Sequence, residues 1–92
     1  MTEDERRTAA IHKFYKVYRE LQKYDNLRLH THESIYDDTL IEAYRYYGEK
    51  KGEKVLRVTQ ENSADAYERA ANQVENMLQQ AKQKIAEGRR GA

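Results

Sequence analysis

Leu40-Ile41-Glu42-Ala43-Tyr44-Arg45-Tyr46-Tyr47, followed by Gly48-Glu49-Lys50-Lys51-Gly52, is the stretch on which the fold of this 92-residue chain turns. With a helical period, Leu40, Ala43, Tyr44 and Tyr47 form an i, i+3, i+4, i+7 face, and Thr39 with Glu42 makes a capping box. With a strand period, the same residues form a tyrosine-rich arm leading into a glycine-bracketed hairpin turn. On the far side of that turn stands Lys54-Val55-Leu56-Arg57-Val58-Thr59, a short β-branched run that reads as a partner strand. The turn and the waiting partner favour the strand. The helical alternative would give a mainly α protein, with three helices and at most two short strands.

Outward from this stretch the signals are plainer. Leu27-Arg28-Leu29-His30-Thr31-His32 alternates apolar and polar residues, as a half-buried strand does. Thr2-Glu3-Asp4-Glu5 opens the chain as a capping box with acidic groups at the positive helix end. Ala10, Ile11, Phe14, Val17, Tyr18, Leu21 and Tyr24 then cover an arc of about 140° at 100° per residue, one buried helix face. Asn62 or Ser63 caps the last helix, and Tyr67, Ala71, Val74, Leu78, Ala81 and Ile85 follow in a 4-3 spacing. Gly88 stands where a helix C′ glycine would.

The expected fold is therefore a single α+β domain in the order α-β-β-β-α. Helices span about 3–24 and 63–87, strands about 27–33, 40–47 and 54–59, and a short basic tail covers 88–92. The strands make a three-stranded antiparallel meander covered on one face by two long helices. This order resembles that of double-stranded-RNA-binding domains. The β-β-β-α part resembles ribosome hibernation factors, and some small phage anti-CRISPR inhibitors also begin with a helix and a three-stranded sheet. The likeness is one of topology. The first family opens its last helix with Lys-Lys-x-Ala-Lys, whereas Ser63-Ala64-Asp65-Ala66-Tyr67-Glu68 puts acidic residues there.

Composition excludes several classes of function. Charged residues make up 36% of the chain against 38% for hydrophobic ones, and no run approaches the roughly 20 apolar residues of a membrane span. The absence of Cys removes disulfide scaffolds and thiolate metal sites, and no apolar leader follows the N-terminus, so a reducing cytoplasmic setting is the expectation. Net charge is only +1, short of the basic excess of a dedicated nucleic-acid binder. There is no phosphate-cradling glycine loop and no nucleophile elbow, so no catalytic residues and no cofactor are assigned. His30 and His32 share a strand face, but a metal site would need a third ligand from His12, Glu33, Asp37 or Asp38, none fixed by spacing. Asp37-Asp38 reads more simply as a turn or cap. No metal is assigned.

Two surfaces remain as candidates for binding a partner. Tyr44 and Tyr46 fall on the strand face away from the helices with Val55 and Arg57, if Gly48 pairs with Glu53 across the turn, and Arg28, His30 and His32 join them. Arg45 is then a misfit on the core side. Rings among cations on an open sheet suit single-stranded RNA, and equally a protein interface. On the first helix, His12, Lys16, Arg19 and Lys23 lie within about 60° of one another, opposite the apolar arc. Together these favour a small non-enzymatic module that binds a protein, as a regulator or inhibitor of a larger bacterial or phage assembly. The alternative is an RNA- or DNA-binding domain. Met77, Leu78, Ala81 and Ile85 extend beyond what a small sheet covers, so the stripe is covered either by the first helix, which is long enough to reach, or by a second copy in a homodimer through Val74, Leu78, Ala81 and Ile85.

Overall fold

The computed structural model describes residues 1–33 and 38–90, with the side chains of 89 and 90 excepted. Asp37 and the arginines of the tail, Arg89 and Arg90, lie outside these described side chains. The element order is α1 (Glu3–Leu21), β1 (Leu27–His32), β2 (Thr39–Tyr47), β3 (Lys50–Gln60) and α2 (Ser63–Arg90). The sheet is a three-stranded antiparallel meander in the order β1-β2-β3, and residues 40–47 are strand. The mainly α alternative is thereby excluded. As the middle strand, residues 39–47 satisfy their polar backbone on both sides, against β1 and against β3.

Both helix starts follow the capping chemistry written in the sequence. The Glu5 amide donates to the Thr2 hydroxyl at 3.2 Å, and the Asp65 amide donates to the Asn62 carboxamide at 3.0 Å. The residue that caps α2 is thus Asn62. Helix α1 ends at Leu21, three residues short of the sequence reading, because amides 22–25 close tight turns onto carbonyls of Tyr18, Glu20 and Leu21. Tyr24 therefore leaves the buried arc and is exposed. At the other end of the chain, α2 runs through Gly88 to Arg90, so that glycine is helical and ends nothing.

The hairpin differs from its expected form in a way that matters for the surface. Tyr47 pairs with Lys50 and Tyr46 with Lys51, leaving a two-residue turn of Gly48 and Glu49. Gly48 takes a φ of 65°, which a two-residue turn requires of its first central residue. β3 accordingly starts at Lys50, four residues earlier than expected, and the pairing slips twice, between Ala43 and Tyr44 and between Tyr44 and Tyr46. The slips leave Val55 unpaired, and its side chain packs on the core rather than joining Tyr44 and Tyr46. Gly52 lies inside β3, where a Cβ would stand 2.7 Å from the Arg45 carbonyl and 2.5 Å from the Tyr47 ring.

One face of the sheet carries Leu27, Ile41, Ala43, Leu56 and Val58 into a core shared with both helices. α2 lies against β2 and β3, and α1 runs beside α2. The two helices point the same way, since Arg6 meets Asp65 and Glu68 while Leu21 lines a groove with Met77, Ala81 and Ile85. Phe14, Ile41 and Val74 are the largest fully buried side chains. Arg45, the misfit, sits at the rim of this face with its guanidinium held by Asp25 at 2.8 Å and Glu53 at 2.5 Å.

The self-association seam needs correction. Val74 and Leu78 belong to the chain's own core, at 1% and 9% exposure, because α1 runs far enough along α2 to cover them. Ala81 is half-buried, and Ile85, at 42% exposure, is the seam residue left in the open. Leu78→Asp should cost about 3 kcal/mol or more, as an unpaired charge forced into apolar surroundings, while Ile85→Asp should leave the urea midpoint nearly unchanged. Gly52→Ala should cost about 1–3 kcal/mol, since a backbone carbonyl cannot step aside as a flexible side chain would.

Candidate nucleic-acid or protein interface

The face of the sheet turned away from the helices gathers the strand candidates as one patch. Directly opposed residues in a sheet point to the same side, and Arg28 faces Tyr44, His30 faces Glu42, His32 faces Leu40, and Glu42 faces Arg57 across the ladders. Arg28, His30, His32, Tyr44, Tyr46 and Arg57 thus share the open face. Lys16, Arg19 and Lys23 do not join them. Lys16 and Arg19 lie on the outer side of α1 in a shallow depression with His12, Tyr15 and Glu20, and the Lys23 ammonium is tied to Glu20 at 3.0 Å. The expected cationic surface is really two, on opposite sides of the molecule.

Lys51 and Lys54 are members of the open face that the sequence reading missed. The tighter turn places Lys51 opposite Tyr46, and the slipped register places Lys54 opposite Tyr44. The signal was present in Tyr46-Tyr47-Gly48-Glu49-Lys50-Lys51, a glycine-first two-residue turn that aligns both arms directly. The outcome is a depression of about 430 Å³ lined by Arg28, Leu29, His30, Glu42, Tyr44, Tyr46 and Lys51.

The two rings in it are not bare. The Arg28 guanidinium lies 4.2 Å from the centre of the Tyr46 ring, and the Lys51 ammonium lies 3.9 Å from that of Tyr44, with Lys54 at 5.6 Å. Such contacts contribute about 0.5–1 kcal/mol each at exposed sites, enough to bias where a flexible cation rests. At the centre stands Glu42, largely buried although it points to the open face, with its carboxylate 2.5 Å from Lys54 and 4.0 Å from Arg57. The Tyr44 phenol reaches the same carboxylate at 3.5 Å. Lys54 and Arg57 therefore hold the one carboxylate, while Arg28 and Lys51 lie closest over the tyrosine rings.

This arrangement gathers positive charge on one face of the sheet. Among the described residues no three His, Asp or Glu side chains come together as a metal site. No described helix is long and apolar enough to cross a membrane. No protein family, curated protein or solved structure was found to match the chain.

The Lys54 ammonium holds the Glu42 carboxyl below the ordinary carboxylate range, against the opposing effect of burial. A carboxyl lowered in the folded state stabilises the fold above its unfolded pKa, and that stability is lost as pH falls through the lowered folded value. Glu42 should therefore contribute fully at neutral pH and fade below the ordinary carboxylate range. In a carboxyl-detected NMR titration its midpoint should lie below that of a model peptide, and Lys54→Met should bring it back up.

Proposed function

We propose that this chain is a non-enzymatic binding module that docks an acidic protein surface on the open face of its sheet. One observation carries the reading: Arg28 and Lys51 already lie over the rings of Tyr46 and Tyr44. Base stacking needs an uncovered ring face, and here a base would first have to displace a cation from it. A carboxylate needs no such displacement. It meets Arg28 or Lys51 where they stand, with Arg57 beside them, and the rings beneath supply apolar area of the kind enriched in protein interfaces. Electrostatic complementarity of this sort governs the rate and register of docking more than its raw strength. A module of this size and surface suits a regulator or inhibitor that acts by occupying a site on a larger assembly.

The excess of cations over carboxylates on the face keeps single-stranded RNA as the second reading, since phosphate neutralisation needs only the charges. A fluorescein-labelled decaglutamate peptide and a labelled ten-nucleotide RNA of mixed sequence, titrated by anisotropy at about 50 mM salt, separate the two. The peptide should bind, and Lys51→Glu with Lys54→Glu should weaken it at least tenfold. Lys16→Glu with Arg19→Glu on α1 should leave the affinity unchanged. Tighter binding of the RNA, reduced more than tenfold by Tyr44→Ala, would transfer the face to nucleic acid.

A further inference from the structure

The outer edge of β3 borders the charged face and is unpaired among the described residues, because β3 is the last strand of the sheet. At 11 residues it is the longest strand, and it divides into two unlike halves. The first half carries the devices that keep edges from pairing: Lys50, Lys51 and Lys54, and the two register slips. The second half, Leu56-Arg57-Val58-Thr59-Gln60, pairs with β2 in unbroken register and has no bulge, no proline and one charge. Its two sides are also unlike. Leu56 and Val58 point into the core beneath α2, while Arg57 and Thr59 are exposed on the open face.

From this we infer that β3 receives a fourth strand along Leu56–Gln60, an extended acidic segment of a partner protein in which acidic and apolar residues alternate. The inference rests on the acidic-partner reading above and names the form that partner takes. Backbone hydrogen bonds along the free edge supply affinity in such strand addition, and the alternating side chains supply specificity. Residues of the added strand on the open side come level with Arg57, and with Lys54 where the segment runs on towards the turn. Those on the other side continue the row of Leu56 and Val58. Charge disfavours a second copy of β3 as the occupant. Antiparallel self-pairing centred on Val58 would bring the two Arg57 side chains onto one face as diagonal neighbours, about 7–8 Å apart.

The test uses the intact chain and a blocked heptapeptide, Val-Glu-Val-Glu-Val-Glu-Val, beside two versions N-methylated at alternate residues, one in each phase. The unmodified peptide should bind more tightly than decaglutamate despite its lower charge, and at least one N-methylated phase should lose tenfold or more. Hydrogen exchange should slow at outward amides within 56–60, and Arg57→Glu should weaken binding at least tenfold. Equal binding of all three heptapeptides, with decaglutamate still held, would overturn the edge while leaving the charged face intact. Slowed exchange along β1 instead, or a peptide-free dimer protecting 56–60, would also overturn it. Failure of decaglutamate and heptapeptide together would remove both readings.

Discussion

Helix α2 lies against the sheet and beside α1, and in that contact Ala66, Ala70 and Ala71 have no exposed surface. A methyl group at each position is what allows this close seating. The space it leaves is filled from the other elements, by Phe14 of α1 and Ile41 of β2, with Val74 one turn further along α2. Phe14 stacks on Tyr18 at 5.6 Å and meets Tyr67 edge-on at 5.7 Å, so the aromatic side chains of the two helices form one cluster. Any bulkier residue in the alanine row would separate layers that share this one core. Burial there has a cost elsewhere: the Tyr18 hydroxyl is enclosed without a hydrogen-bond partner among the described residues, and burial pushes its pKa up.

Ion pairs fix which way the helices lie. Arg6 is gripped by Asp65 and by Glu68 at 2.9 Å, while Arg7 reaches Glu33 at 2.5 Å and the Ser63 hydroxyl at 3.2 Å. These contacts are half-exposed, so their worth is more in register than in stability. They also account for the acidic opening of α2. Asp65 and Glu68 stand where a phosphate-binding helix would carry lysines, and they are engaged in holding α1. An anion approaching that helix start would meet two carboxylates.

The element order and the two faces of the sheet were legible because they depend on local periodicity. Arg28, His30, His32, Tyr44, Tyr46 and Arg57 were placed together from alternation and an assumed Gly48–Glu53 pairing, and alternation survives a register slip of two residues. What alternation does not carry is how far the slip goes. Gly48 and Gly52 bracket three residues symmetrically in the sequence, yet one supplies a positive φ and the other makes room beneath a tyrosine ring. Two residues of turn, rather than four, brought Lys51 and Lys54 onto the face. The fate of Val74 and Leu78 was illegible for a different reason. A 4-3 spacing says that a stripe is buried, and only the position of α1 says by what.

The parallel pairing of α1 with α2 joins the first element of the chain to the last, with Arg6 meeting residues 59 and 62 positions later. The β-meander in between closes through short connections. During synthesis the apolar face of α1 has no surface to lie on until the 28 residues of α2 have followed it. The sheet has the same wait, because its core face is roofed by the same late helix. Docking of α1 therefore waits for α2, and until then Phe14, Tyr18 and Leu21 lack the cover they have in the fold.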